Sequence, residues 1–292
     1  MISKLLLERE RPWYESAQGF LENGPSIEKG ATMIGFIGGG NMAEALIKGM
    51  ATQGKKGIIV SEPREERRTY LQQTYGVATT PSNKEVAAAA AIIVLAVKPQ
   101  NMAAVLDEIA GAVTDDKTVV SIAAGISIAF LQSKLKTKRL VRVMPNTPAI
   151  VQEGMSVLSL CECFSDKEVA AVRDIFMSVG KVLTLPERHI NAVTALSGSG
   201  PAFIALFVEG MIDAGVKMGL NREDAAELAQ QTLLGTARLL DTGMSPEKLR
   251  VMVTSPGGTT AAGLKEFERH DLKAIIAEAL LAAKQRAEEL GS

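Results

Sequence analysis

The chain is poor in the side chains that most often carry metal or disulfide chemistry. Among 292 residues there are two histidines, His189 and His270, and two cysteines, Cys161 and Cys163. Two histidines so far apart do not suggest a histidine-rich metal site, and no metal is expected. Two cysteines cannot staple a chain of this size. With no secretory leader recognisable, they point to a reducing, cytoplasmic setting. No run reaches the roughly 18 consecutive apolar residues of a membrane span, so no membrane partner is expected. Neither sign of charge dominates: 32 Lys+Arg against 33 Asp+Glu leave a net charge of -1. That removes the usual electrostatic reason to expect nucleic acid. What is present is apolar mass, 47% of the chain against 22% charged. This is enough for a sizeable core, and at about 150 residues per domain the length argues for two domains.

Residues 1–32 differ from the rest of the chain. They are mixed in character and hold the only tryptophan, Trp13, and their Leu5–Leu7 run is too short for a signal-peptide core. We expect Met33 to be the true start. Glu28-Lys29-Gly30-Ala31 is what a purine-rich ribosome-binding sequence would read as if translated. A genuine N-terminal arm is the alternative.

From Met33 the text reads as a strand, Met33–Ile37, that runs into Gly38-Gly39-Gly40-Asn41-Met42-Ala43. This is Gly-x-Gly-x-x-Ala. Gly38 permits the tight turn, Gly40 lets backbone approach a pyrophosphate, and Ala43 lets the next helix, about 42–53, pack close to the strand. That helix aims its first N–H groups at the phosphates. Strands are predicted at Ile58–Ser61, Ile92–Val97, Val119–Ile122, Leu140–Met144 and Val157–Leu160. Helices are predicted at Arg64–Tyr75 and near 102–110, 127–135 and 166–179. The alternation predicts an α/β domain over 33–188, a doubly wound parallel sheet with its ligand at the strand C-terminal ends.

Cofactor choice is read just after the second strand, at Ser61-Glu62-Pro63-Arg64. A carboxylate such as Glu62 would take a ribose 2′-OH and favour NAD; Ser61 with Arg64 would favour the 2′-phosphate of NADP. Both signals stand side by side. Lys98-Pro99-Gln100 follows the apolar strand 92–97, where a lysine either lines a cofactor crevice or lies on the surface. Ser121–Gly125 and Met144–Pro148 also sit at strand ends, and their small residues and prolines suit a backbone approached by a nicotinamide.

From about Ile190 the strand patterns stop, and 189–292 reads as helical. Pro201 starts a helix, Ala202–Gly219, that is apolar on nearly all sides and therefore buried against other helices or a second subunit. Asn221 caps a helix to about Asp241, Ser245-Pro246 starts another, and Asp271 caps a last one over 272–290. Between these lies Val253-Thr254-Ser255-Pro256-Gly257-Gly258-Thr259-Thr260, a tight turn directly before a helix. Its N–H groups and hydroxyls suit a small carboxylate. The plainer alternative is a connector with Thr260 as an ordinary N-cap.

Several segments together resemble the pyrroline-5-carboxylate reductase family. They are GFIGGGNMAEAL at 35–46, AVKPQ at 96–100, AAG at 123–125, NTP at 146–148, ALSGSGPAF at 195–203, DAGVKMGL at 213–220 and VTSPGGTTAAGL at 253–264. The resemblance covers 33–290 and leaves 1–32 outside. It implies a Rossmann domain followed by an all-α dimerisation domain, intertwined homodimers, often five of them in a decamer, and an active site shared between subunits. It implies that Ile37, Gly38, Gly39, Gly40, Asn41 and Met42 hold the pyrophosphate. Asn83, Ala96, Val97, Lys98 and Pro99 would line the adenine ribose and cofactor crevice, and Ala123, Ala124 and Gly125 the nicotinamide. Glu187 and Ser255–Thr260 would surround the substrate. NADP(H) is the preferred cofactor, with NAD(H) also admitted.

The implied reaction, hydride transfer to a protonated cyclic imine bearing a carboxylate, needs position and charge complementarity rather than a strong base. On this reading Gly258 and Thr259 N–H groups and Ser255 take the carboxylate. The Thr260 hydroxyl meets the ring nitrogen. Two departures stand out: Met252 where the family commonly has a polar residue, and Glu62 where many members are neutral. Competing readings are a reductase of another cyclic imine, a β-hydroxyacid dehydrogenase and a non-catalytic dinucleotide-binding regulator. The dehydrogenase class needs a lysine early in the inter-domain helix, and Ala202–Val216 has none. Cys161 and Cys163 read as packing or surface residues.

Overall fold

The structure, a computed structural model, describes residues 32–161, 164 and 166–291. Trp13, Cys163 and the expectation that the chain starts at Met33 lie outside the described residues. The described chain forms two compact units. One runs through Gly198 and takes in the last residues from Lys284; the other is Ser199–Ala283.

The first unit is built on eight strands: β1 (Ile34–Ile37), β2 (Ile58–Ser61), β3 (Ala78–Thr80), β4 (Ile92–Leu95), β5 (Thr118–Ser121), β6 (Leu140–Met144), β7 (Gly154–Leu160) and β8 (Gly180–Thr184). Their order is β3-β2-β1-β4-β5-β6-β7-β8. Between them lie α1 (Asn41–Thr52), α2 (Glu65–Tyr75), α3 (Asn83–Ala89), α4 (Met102–Ile109), α5 (Ile128–Lys134), α6 (Asp166–Met177) and a single turn, α7 (Ile190–Val193). β1 and β4 lack polar side chains because both faces of the sheet are covered. Successive residues alternate between two cores. Phe36, Val60 and Val94 pack with Leu46, Met50 and Phe176 on one side. Ile37, Ile59 and Ile93 pack with Met102, Leu106 and Leu131 on the other. Each such burial contributes about 1.5–3 kcal/mol.

The sheet is the expected doubly wound parallel one, with a single exception at β7, which pairs antiparallel with β6, Met144 opposite Val157. The link between them is a 3-10 turn, Thr147–Val151, too short for the dozen or more residues of a parallel crossover. β8 then runs parallel to β7. Their starts approach so closely that a Cβ on Gly180 would stand 2.0 Å from the Gly154 carbonyl oxygen. β3, α3 and β8 go beyond the elements expected from sequence. The strand expected over Ile92–Val97 ends at Leu95, where the Ala96 N–H still donates to the Ile37 carbonyl (2.8 Å).

The second unit is helical: α8 (Gly200–Lys217), α9 (Arg222–Asp241), α10 (Pro246–Met252), α11 (Thr259–Arg269) and most of α12 (Leu272–Leu290). Its starts carry the expected caps. Asn221 accepts from the Asp224 N–H (2.8 Å), Ser245 from Lys248 (3.2 Å) and Asp271 from Ala274 (3.3 Å). α8 and α9 touch through small residues, a Cβ on Gly215 falling 2.9 Å from that of Ala225. Among its described residues the unit's buried apolar side chains are Ala225, Ala229 and Leu249, whereas Ile204, Leu206, Phe207, Leu228 and Leu281 are exposed. The stretch Glu187–Lys217 is long and apolar enough to cross a membrane by length and composition. The expectation that no unbroken run of about 18 apolar residues occurs concerns a different property from this average. Its Ile, Leu, Val, Phe and Ala side chains keep the average high, while glycines, serines and isolated charges break it into short runs.

Candidate cofactor and substrate sites

β1 delivers the chain into a turn that only glycine can make. Gly38 has φ +98, and a Cβ there would lie 2.7 Å from the Ala96 carbonyl oxygen. Its N–H donates to the Ser61 carbonyl (2.8 Å). The turn therefore sits on the C-terminal ends of β1, β2 and β4. Gly40 differs: its backbone is extended (φ -72, ψ -177), it caps α1 without a side-chain bond, and nothing stands within 4 Å of where a Cβ would be. Gly40 thus keeps open the space in front of the first-turn N–H groups of Asn41 and Met42, orphan donors that suit a phosphate. Ala43 is fully buried between helix and sheet.

Gly39 is held by side chains. Its N–H donates to Glu62 Oε2 (3.1 Å) and its carbonyl accepts from Arg67 Nε (2.7 Å). The second Glu62 oxygen accepts from the Arg64 N–H (3.2 Å) and from Arg64 Nε (2.7 Å). Burial pushes the Glu62 carboxyl up. The hydrogen bonds from the Arg64 side chain, the Arg64 N–H and the Gly39 N–H outweigh that and hold it below the usual range. Arg64 itself is exposed. Ser61 donates to Asn83 Oδ1 (2.7 Å), and Asn83 Nδ2 donates to Glu108 (2.8 Å). Ser61, Glu62, Arg64 and Asn83 thus gather at the end of β2, with both oxygens of Glu62 already engaged. Sequence reasoning passed over Arg67 and Glu44. Arg67 Nη2 meets Glu44 Oε2 (2.5 Å), and the Tyr70 and Tyr75 hydroxyls both donate to Glu44 Oε1 (2.8 Å each). No local signal marks this set, since its members come from α1 and α2.

On the next strands, Val97 borders the Gly38 turn, Lys98 is exposed, and Pro99 opens a 3-10 turn. Ala123 is buried after β5, and Gly125 takes φ +78. Glu187 Oε1 accepts from the Ile128 N–H (2.8 Å) and from Arg142 Nη1 (3.0 Å). It ties the start of α5, just after Ala123–Gly125, to β6. Asn146 accepts from the Met155 N–H (2.8 Å) and donates to the Ser197 carbonyl (3.1 Å).

In the helical unit, Ser255–Gly258 form a tight turn with Gly257 at φ +71. The Gly258 N–H donates to the Ser255 carbonyl (3.0 Å). A Cβ on Gly258 would lie 2.4 Å from Ser255 Oγ, so the serine side chain folds back over the turn. Gly258, without a side chain, is the N-cap of α11; Thr259 and Thr260 are its first helical residues. This corrects the alternative in which Thr260 was the N-cap, and leaves the N–H groups of Thr259 and Thr260 at an uncapped helix start. Met252 is exposed.

A glycine turn feeding an uncapped helix at the C-terminal ends of parallel strands defines the class: a dinucleotide-binding protein of doubly wound α/β fold. Residues 33–125 match the family described as NADP oxidoreductase, coenzyme F420-dependent. Residues 187–290 match the family of pyrroline-5-carboxylate reductase dimerisation domains. The chain is 43% identical over 262 residues to the pyrroline-5-carboxylate reductase of Synechocystis sp., covering 88% of this chain and 98% of that one. It is also 43% identical over 262 residues to that of Pseudomonas aeruginosa, covering 88% and 96%. Among solved structures, a pyrroline-5-carboxylate reductase from Coxiella burnetii superposes with a TM-score of 0.85 at 36% identity, over 90% of this chain and 99% of that one. The Plasmodium falciparum pyrroline carboxylate reductase with NADP bound gives 0.80 at 33% identity, over 89% and 98%. The chain belongs to the pyrroline-5-carboxylate reductase family.

Proposed function

We propose that this protein reduces 1-pyrroline-5-carboxylate to L-proline, the last step of proline biosynthesis, with NADP(H) preferred and NAD(H) also accepted. The observation that carries the reading is the Ser255–Thr260 turn, an uncapped helix start of carboxylate-binding character in a chain that also holds a dinucleotide cradle. The residues fit the cofactor: Gly40 leaves room for a pyrophosphate, and Gly38 brings the backbone turn to the strand ends.

The bound nicotinamide supplies a hydride to the C=N carbon. The chain's own task is placement. Asn41 and Met42 N–H groups, with Ile37, Gly38, Gly39 and Gly40 shaping the turn, hold the pyrophosphate. Ser61 and Arg64 take the 2′-phosphate, and Glu62, Asn83, Ala96, Val97, Lys98 and Pro99 border the adenosine side. Ala123, Ala124 and Gly125 flank the nicotinamide. Ser255, Gly258 and Thr259 receive the substrate carboxylate at the positive end of α11. Because the Gly258 N–H already closes the turn, Thr259 carries most of that load. The Thr260 hydroxyl hydrogen-bonds the ring nitrogen and turns the imine face toward the nicotinamide. Glu187 acts on the substrate side through the start of α5, which its carboxylate holds.

The protein assembles as a homo-oligomer through its helical domain; a homodimer over 189–292, five of which build a decamer, is the finer proposal. The match of 187–290 to a dimerisation family and the exposed apolar side chains of α8 and α12 support it. On this reading a second copy, not lipid, covers the apolar stretch Glu187–Lys217, and the enzyme is cytoplasmic.

Initial rates of cofactor oxidation with pyrroline-5-carboxylate, NADPH against NADH at matched concentrations, test the reading. Turnover with NADPH faster than with NADH is expected. No turnover with either, in folded oligomeric protein, overturns the substrate and leaves another cyclic imine as the alternative.

A further inference from the structure

We propose that Arg67, anchored by Glu44, is a positioning residue that sets the phosphate-binding turn without touching the cofactor. Gly39 is gripped on both sides: its N–H, in the peptide that joins it to Gly38, by Glu62, and its carbonyl, in the peptide that joins it to Gly40, by Arg67 Nε at 2.7 Å. Both peptide planes that flank Gly39 are thus held; the one held by Arg67 also contains the Gly40 N–H, so the direction in which the chain enters the Asn41 and Met42 N–H groups is set before any ligand arrives. The Gly39 N–H, engaged by Glu62, is not itself a phosphate donor in this arrangement.

Arg67 suits this task by its shape. A planar guanidinium can serve a carbonyl and a carboxylate at once, whereas a lysine ammonium is a single point. One nitrogen holds Gly39, another holds Glu44 at 2.5 Å, and the plane lies 5.1 Å from the Tyr70 ring centroid. Arg67 and Glu44 side chains are only 18% and 21% exposed. Their charges offset each other, and the Tyr70 and Tyr75 hydroxyls satisfy the remaining Glu44 oxygen. Arg64, by contrast, is 68% exposed at the end of β2. The two arginines therefore separate by function: Arg64 toward the 2′-phosphate, Arg67 toward the geometry of the turn that receives the pyrophosphate, a group common to both nucleotides.

The inference rests on the NADP(H) reading above. Its test is direct titration of NADPH, NADH, ADP-ribose and 2′-AMP, with steady-state kinetics alongside, for the unaltered protein, Arg67→Lys and Glu44→Gln. For Arg67→Lys, affinity for NADPH, NADH and ADP-ribose is expected to fall together, by about 10-fold. Binding of 2′-AMP, which lacks a pyrophosphate, and kcat at saturating cofactor stay unchanged. Glu44→Gln keeps the shape and gives the same pattern at smaller size, so it decides the matter if Arg67→Lys does not fold. A loss confined to NADPH and 2′-AMP overturns the proposal by making Arg67 a phosphate ligand. Equal binding by unaltered and variant protein overturns it outright. Failure of the unaltered protein to bind either nucleotide overturns the cofactor reading instead.

Discussion

The sheet unit and the helical unit treat their apolar residues in opposite ways. In the first, Phe36, Ile37, Leu46, Ile93 and Leu106 are fully buried, and β1, β2, β4 and β5 are covered on both faces, with Leu183 on the edge strand β8 left exposed. In the second, α8 and α9 touch through Gly215 and Ala225, while Leu206, Leu228 and Leu281 face outward. Both units contain helices with ordinary caps, so the contrast is not one of local helix-forming strength. It lies in where the apolar area goes. The sheet unit completes its core from its own chain. The helical unit leaves an apolar surface that costs free energy in water until something covers it, and a second copy of a dimerisation domain has the same surface to offer.

A charge on the outward face breaks this contrast most severely. Leu206 on α8 is 68% exposed. In Leu206→Glu a homodimer would bury a carboxylate in each subunit, at a cost of several kcal/mol apiece. The dimer dissociation constant is expected to rise at least about 1000-fold by sedimentation, while NADPH binding by the sheet unit persists. A variant that stays dimeric shows that this face is not the interface.

Next in size is a pair of glycine substitutions within the sheet unit. At Gly38 the left-handed backbone and the Ala96 carbonyl both exclude a side chain. Gly38→Ala is expected to lower Tm by several degrees, from about 1–3 kcal/mol of strain, and to abolish tight NADPH binding. Gly40→Ala meets nothing in the fold. Its Tm stays within about 1 °C of the parent, yet the KM for NADPH rises because the added methyl enters the space reserved for the ligand. Equal thermal losses for the two would mean that Gly40 has a packing role and the cradle is misread.

Thr260→Ala carries the comparison to the helical unit. It removes one hydrogen bond to a charged ring nitrogen, so kcat/KM falls about 10-fold or more with NADPH affinity unchanged. An unaltered kcat/KM sinks that role.

What was legible in the sequence divides along physical lines. The Gly38–Ala43 turn, the caps at Asn221 and Asp271 and the apolar strand at Ile92 are local patterns, and each appears where its residues stand. The reversal of β7 is also local in cause, since the 3-10 turn at Thr147–Val151 is short, but a run such as Val157–Leu160 looks the same in either direction. β3 has three residues, two of them threonine, and too little periodicity to announce itself. The cofactor signals Ser61, Glu62 and Arg64 were visible as a set. Their contest was not resolvable, because Glu62 is shared between Arg64 beside it and the Gly39 N–H, 23 residues away. Arg67 read as one more solvated charge in a charged helix; only the packing of α2 beside α1 turns it toward Glu44 and Gly39.

The smallest expected effect sharpens the comparison through pH. Burial raises the Glu44 carboxyl, but hydrogen bonds from Arg67, Tyr70 and Tyr75 and the charge of Arg67 hold it below its ordinary value. Glu62 is depressed in the same direction, by Arg64 and the Gly39 N–H. A carboxyl that binds its proton less tightly when folded stabilises the fold fully above the ordinary glutamate pKa and loses that contribution as pH falls through the folded-state value. Both groups lie in the sheet unit and hold the phosphate-binding turn, Glu62 directly at the Gly39 N–H and Glu44 through Arg67. From about pH 6 down to about pH 3 the urea midpoint of the sheet unit should therefore fall in the unaltered protein. In Glu44→Gln the midpoint starts lower and falls less steeply, because one of the linked protons is gone. An unchanged slope would remove Glu44 from the acid response and leave its ion pair with Arg67 a matter of geometry alone.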